Sequence, residues 1–225
     1  AAAGSILLDG KILMMRGLYA ITSEPSVTSG KLVEAVEKAL IGGAAIIQYR
    51  DKRPAGFSQE KNLEELLGLC RDYGSMLIVN DDVELARRVN ADGIHLGQDD
   101  MQLEHAREYM GPGKMIGISC YGDTNRVAQA LDDGADYIAL GRFFASATKP
   151  GASGVSLEVL KSVRKLTTQP IVAIGGITAE NGGPLVEAGA DMLAAVEGVF
   201  GQQDITRAAR DISALFLSEH NKDQL

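Results

Sequence analysis

The chain alternates. From Gly17 onward, short apolar runs of strand length are each followed by an amphipathic run of helix length, eight times over. GLYAIT (17–22) precedes KLVEAVEKALIGG, AAIIQYR (44–50) precedes EKNLEELLGLCRDYG, and MLIVN (76–80) precedes VELARRV. GIHLG (93–97), MIGISC (115–120), YIALGR (137–142), PIVAIGG (170–176) and DMLAAVEG (191–198) continue the pattern. Strands alternating with helices argue for a parallel sheet. Eight such units within 225 residues predict an α/β fold of one domain, a (β/α)8 TIM barrel spanning 17–225. A doubly wound open sheet is the alternative, but it has fewer strands, and no G-x-G-x-x-G follows the first run.

A short echo supports related βα units. NADGIHL, GADYIAL and GADMLAA each place a turn and an aspartate before a strand. Gly134 and Gly189 are positioned to end the preceding helices in the left-handed conformation. Residues 1–16, which include AAAGSILLDGKILMM, read as an expression remnant or a loosely packed extension without the layout of a secretory signal.

Composition narrows the partners. A net charge of -8 argues against a general nucleic-acid or anionic-membrane surface, so any anion needs a local basic pocket. No apolar run reaches the roughly 18–20 residues of a membrane span. Two cysteines, Cys70 and Cys120, make no disulfide framework, and a reducing cytoplasm is the expected location. The sequence leaves monomer and homo-oligomer open.

In such a barrel the site forms at the C-terminal ends of the strands. The residues there fall into an acidic edge and anion-binding edges. Asp81 and Asp100 follow neighbouring strands, about 4.8 Å apart, and oxygen ligands without a His–Cys cluster favour Mg²⁺ over zinc. Against this, Asp81 with Glu84 and Asp99 with Gln102 have capping-box spacing, and each taken alone reads as a cap. Arg50 and Lys52 leave the second strand on one face, suited to phosphate, though exposed basic pairs are commonly just solvated. Lys149, with Ser146 and Thr148, makes a phosphate cradle or simply a surface loop. Gly175 and Gly176 allow close approach of a ligand, or a tight turn, and the loops after the last two strands commonly hold phosphate. Glu197 would repel phosphate there unless its side chain turns away while its N–H donates. These edges together suggest two phosphorylated small-molecule substrates, one losing a metal-bound diphosphate.

The ordered set GLYAIT, QYRDK, VNDD, GIHLGQDD, GIS, ALGRFFASATKPG, IGGIT and AVEGVF resembles the thiamine-phosphate synthase family, over about Gly17 to Gly201. The resemblance implies a (β/α)8 transferase that joins hydroxymethylpyrimidine diphosphate to a thiazole phosphate, or its carboxylated precursor, releasing diphosphate. It implies that Gln48, Tyr49, Arg50, Asp51 and Lys52 line the pyrimidine diphosphate. Asn80 would contact the pyrimidine substrate, Ser119 and Lys149 its diphosphate, and Asp81 and Asp100 one Mg²⁺. Ser146, Ala147 and Thr148 would hold the thiazole phosphate, completed by Gly176, Val196 and Glu197. Arg50, Lys52, Ser119 and Lys149 would act on the departing group. The chain departs from many relatives at Ala145, Ser146, Glu197 and Arg142. The implied chemistry is a dissociative substitution that needs no side-chain nucleophile. Accordingly, His95 reads as a packed barrel residue, His105 and His220 as helix-surface residues, Cys120 as unactivated, and Asp82 as the cap of the next helix. A thiazole tautomerase of related fold, a non-catalytic phosphate-binding barrel, and a phosphosugar isomerase or aldolase are the rival readings. The joint presence of QYRDK and both acids favours the synthase.

Overall fold

Every one of the eight expected strands forms, in a computed structural model that describes residues 5–8, 11–53, 57–144 and 154–217. Ahead of them, β1 (Ser5–Leu8) and β2 (Lys11–Met14) make a separate antiparallel pair. The barrel strands are β3 (Gly17–Ile21), β4 (Ala44–Tyr49), β5 (Met76–Asn80), β6 (Gly93–Leu96), β7 (Met115–Tyr121), β8 (Tyr137–Gly141), β9 (Ile171–Ile174) and β10 (Met192–Ala195). All are parallel and pair in sequence order, and β10 closes on β3. This is the TIM barrel expected, not the open sheet.

Between strands run α1 (Glu24–Thr28) and α2 (Leu32–Ile41), then α3 (Phe57–Asp72), α4 (Val83–Arg88), α5 (Leu103–Met110) and α6 (Thr124–Asp132). They continue with α7 (Leu157–Leu166), α8 (Ala179–Glu187), α9 (Glu197–Phe200) and α10 (Ile205–Ala214). The run DMLAAVEG, read as one strand, instead ends its strand at Ala195 and turns into the short α9. Among the described residues no helix is long and apolar enough to cross a membrane.

Parallel barrel strands are buried on both faces, so successive side chains enter two different packing layers. In β3, Tyr19 and Ile21 pack inside the barrel with Ile46, Ile78, Met115, Tyr137 and Met192. Leu18 and Ala20 face the helices together with Ile47, Leu77, Val79 and Ile94. Met15 precedes the first barrel strand yet is buried in the interior layer, and the Arg16 guanidinium lies over the Phe216 ring.

The three-fold echo has a common physical cause. After α4, α6 and α8 the chain turns at Asn90, Gly134 and Gly189, all with positive φ, as glycine and asparagine tolerate. Two residues later Asp92, Asp136 and Asp191 each donate a backbone N–H to the preceding strand, at Leu77, Ile116 and Ile171. Each carboxylate then accepts the N–H of that same residue, at 2.8, 2.7 and 2.8 Å. The first free N–H of one strand is thus satisfied by the start of the next, which stitches the floor of the barrel. Asp136 also pairs with Arg107 and Asp191 with Arg164, at 2.6 and 2.7 Å.

Burial outweighs these donors at Asp191 and holds its carboxyl above the usual carboxylate range. Removing the cation alone leaves a buried charge, which typically costs about 3–5 kcal/mol. Arg164→Ala is therefore expected to lose about that much stability at pH 7 in urea unfolding. A raised folded-state pKa means the folded state holds the proton more readily, so the loss should shrink as pH falls towards 5. A loss independent of pH would show that Asp191 carries no unpaired charge in the variant.

Candidate active site

The side-chain alternation of β4 runs on into the loop that follows it. Gln48 points into the barrel, where it is only 3% exposed and donates its amide N–H to the Tyr19 hydroxyl at 2.8 Å. Tyr49 points outward to the helices and donates to Asp51 at 3.1 Å. Lys52 falls on the inward phase and reaches Asp81 at 2.5 Å, and Arg50 shares that phase. Tyr49 and Asp51, both in the segment matched to the substrate pocket, turn behind it. Asp51 accepts the backbone N–H and the guanidinium of Arg53, and that ion pair pulls its carboxyl down to about 2. These two side chains brace the loop.

The turn Asn80-Asp81-Asp82 divides its work. Asp82 is the N-cap of α4, accepting the Leu85 N–H at 2.8 Å. Asp81 is not the cap its spacing to Glu84 suggested. It sits at φ 64, in the left-handed region that aspartate enters more readily than most side chains. Its N–H is tied to the His95 carbonyl at 2.9 Å, and its carboxylate turns to Lys52 and Asp100. The capping reading of Asp99 also fails, because Gln102 is the N-cap of α5 and its side chain makes no cap bond. Asp100 instead accepts the Gly97 N–H at 2.6 Å. Burial first, and then the Asp81 carboxylate, push the Asp100 carboxyl above its ordinary value.

The acidic and basic edges therefore meet at one point, where Lys52, Asp81 and Asp100 adjoin. A carboxylate whose proton affinity is raised by burial and by a second carboxylate beside it is a group that a divalent cation would relieve. Among the described residues no cluster of three or more His, Cys, Asp or Glu side chains forms. A pair of carboxylates fits Mg²⁺, which usually takes one or two of them and completes its octahedron with water and phosphate oxygens.

Deeper in the barrel lies a polar belt that the sequence did not announce. The Tyr19 and Tyr137 hydroxyls are 2.8 Å apart, and Tyr137 lies 3.1 Å from His95 Nδ1. His95 Nε2 is 2.9 Å from Ser119 Oγ. His95 is indeed a packed barrel residue, and burial pulls its imidazole down to about 4, so it is neutral. Burial likewise pushes both tyrosines above their usual range. The belt links Gln48 on β4 to Ser119 on β7, two residues singled out by sequence. Its tyrosines were visible in GLYAIT and GADYIAL, on the strand phase that alternation sends inward. Ser119 is displayed at a register irregularity between β7 and β8, next to Tyr121 at φ 55.

At the ends of β9 and β10, Gly175 and Gly176 have φ of 110 and 62. A Cβ on Gly175 would lie 2.6 Å from Arg142 Cβ, so the strand-8 exit packs directly on this turn. Asn181 holds the turn by donating to the Gly176 carbonyl at 2.8 Å. Val196 is the N-cap of α9, and its carbonyl accepts the Val199 and Phe200 N–H groups at 3.1 and 2.8 Å. Glu197 is exposed, and its carboxylate folds back along α9 to lie over Gly201. The side chain therefore turns away from the helix start. Cys120 is buried facing the helices, its thiol pushed up to about 11 by burial. Ser146, Ala147, Thr148 and Lys149 lie outside the described residues, as does His220.

Residues 18–199 match the family model described as thiamine monophosphate synthase. The chain is 44% identical to a thiamine-phosphate synthase of Alcanivorax borkumensis, over 90% of this chain and 94% of that relative. It is 46% identical to one from Marinobacter nauticus, over 91% of this chain and 92% of the relative. A solved thiamine phosphate pyrophosphorylase from Pyrococcus furiosus superposes with a TM-score of 0.82 at 32% identity, covering 91% of this chain and 96% of that one.

The belt depends on one close approach. A Cβ at Gly117 would sit 1.9 Å from the Tyr137 ring, whereas nothing lies within 4 Å of one at Gly183 in α8. Gly117→Ala is expected to cost about 1–3 kcal/mol in urea unfolding by overpacking. Gly183→Ala should be neutral or stabilising by up to about 1 kcal/mol, since alanine is the better helix former. Equal effects of the two substitutions would contradict the packing described.

Proposed function

The chain belongs to the thiamine monophosphate synthase family, a family of transferases, and from that premise we propose its reaction in detail. It couples hydroxymethylpyrimidine diphosphate with a thiazole phosphate, plain or carboxylated, and releases diphosphate and thiamine phosphate. The observation that carries this is the junction of Lys52, Asp81 and Asp100 beside the inward face of Gln48 and Arg50. A tautomerase or a simple phosphate-binding barrel has no use for paired acids set against strand-end cations.

In this reading Asp81 and Asp100 hold Mg²⁺. The ion, when bound, supplies charge neutralisation at the leaving diphosphate. Arg50 and Lys52, with Lys149, bind the phosphate oxygens and stabilise charge as it develops on them, the role of preorganised cations. Ser119 contacts the same diphosphate. Gln48 and Asn80 orient the pyrimidine, whose amino group donates electrons to the carbon that loses diphosphate. The segment Gln48–Lys52 encloses this substrate, with Tyr49 and Asp51 fixing its backbone. The thiazole nitrogen attacks the exposed carbon, and no side-chain nucleophile takes part. Ser146, Ala147 and Thr148 bind the thiazole phosphate with the backbone at Gly176, Val196 and Glu197, and the folded-back Glu197 carboxylate supports that placement.

Diphosphate release, followed with and without the thiazole phosphate and in Mg²⁺ or chelator, tests the proposal. Release that requires both, with thiamine phosphate formed, is the expected result. Tight binding of thiazole phosphate without any release would turn the reading towards a tautomerase or a binding protein. Asp100→Asn keeps an acceptor for the Gly97 N–H but loses the charge, and should lower coupling by about 100-fold or more. The thermal midpoint of the metal-free variant should hold or rise, because a like-charge contact with Asp81 is gone. Unchanged turnover in Mg²⁺ would remove Asp100 from the metal site.

A further inference from the structure

The buried belt has a direction. Gln48 Nε2 can only donate, so the Tyr19 oxygen is its acceptor. Among the described residues Tyr137 is the remaining hydroxyl partner of Tyr19. If Tyr137 donated to Tyr19 as well, the Tyr19 hydrogen would be buried without an acceptor, and such a loss costs more than one hydrogen bond returns. Tyr19 therefore donates to Tyr137. Tyr137 in turn has its own hydrogen for His95 Nδ1, which must accept it. A neutral imidazole accepting at Nδ1 carries its hydrogen on Nε2. That hydrogen points at Ser119 Oγ, 2.9 Å away.

We infer that Tyr19, Tyr137 and His95 form a one-way hydrogen-bond wire that makes Ser119 a donor towards the mouth of the barrel. With its oxygen already accepting from His95, the Ser119 hydroxyl hydrogen is left for an anionic oxygen. The reverse polarity would spend that hydrogen on the imidazole and present only lone pairs, which repel a phosphate. Tyr19, Tyr137 and His95 are thus positioning residues that act through Ser119. The inference rests on the reading of Ser119 as a contact to the diphosphate substrate. It also gives a reason for three uncharged polar side chains to be buried where apolar ones would pack as well.

The polarity is read directly from the imidazole nitrogens. The chain has three histidines, so ¹⁵N-histidine labelling with His105→Gln and His220→Gln variants assigns His95. At pH 7.5, without substrate or metal, His95 should be neutral with its hydrogen on Nε2. An Nδ1–H tautomer, or an imidazolium, would overturn the wire without any variant having to fold. Tyr19→Phe should keep the Nε2–H form, because Tyr137 can still donate, whereas Tyr137→Phe should yield a tautomer mixture. Loss of the Nε2–H form in Tyr19→Phe but not in Tyr137→Phe would contradict the direction.

Affinity for inorganic diphosphate in Mg²⁺ supplies the second readout. Tyr137→Phe should weaken it by about fivefold to tenfold, the equivalent of one hydrogen bond. The same substitution in a Ser119→Ala background should have no further effect. An equal loss in both backgrounds would show that Tyr137 does not act through Ser119. A chain with the Nε2–H tautomer that forms no thiamine phosphate would uphold the wire and overturn the proposed reaction, so the two can fail separately.

Discussion

A closed parallel barrel buries both faces of every strand, and its narrow interior has room for little besides side chains. A polar group sent inward must therefore find another polar group there or remain unpaired at a cost. That constraint organises this protein. Gln48, Tyr19, Tyr137, His95 and Ser119 come from five different strands and satisfy one another across the interior. Below them the interior is apolar, from Met15 and Met115 to Met192. The belt marks the level at which the apolar interior ends, and Gln48 and Ser119 belong both to it and to the proposed site.

Above the belt the strand ends bring opposite charges together. Asp81 is held in a left-handed turn so that its carboxylate meets Lys52 and Asp100, while its neighbour Asp82 takes over the capping of α4. The first residue takes the left-handed backbone and the strand-end contacts, and the next takes the helix cap, so two tasks are divided between adjacent aspartates. The floor of the barrel follows the opposite logic. There Asp92, Asp136 and Asp191 face backbone N–H groups of neighbouring strands, and their role is structural. On β6 the contrast is direct, since Asp92 before it bonds the backbone of β5 whereas Asp100 after it adjoins Asp81.

Much of this was legible beforehand. Eight alternating runs give the barrel, and the turn-plus-aspartate echo gives the left-handed residues at Gly134 and Gly189. The approach of Asp81 to Asp100 followed from adjacent strands, whereas the sequence left the direction of the Glu197 side chain open. Other features depended on tertiary contacts that a linear reading does not weigh. Capping-box spacing at Asp81 and Asp99 carried no information about caps, because the same spacing arises where a strand-end acid precedes a helix, and the caps are Asp82 and Gln102. Tyr49 and Asp51 sat inside a motif with Arg50 and Lys52, yet alternation turns them to the other side. The tyrosines of the belt looked like ordinary strand residues. Only the crossing of the interior by the Tyr137 ring, over a glycine at 117, reveals what they join.

The central claim is that Asp81 and Asp100 form half of a metal site whose other half is the substrate's diphosphate. Calorimetric titration of Mg²⁺ into the protein, with and without inorganic diphosphate, tests it most directly. Two carboxylates should bind the ion weakly alone and more tightly with diphosphate present, by a factor within the roughly 5–150-fold range of linked ligands. Mg²⁺ binding that is indifferent to diphosphate would contradict the account.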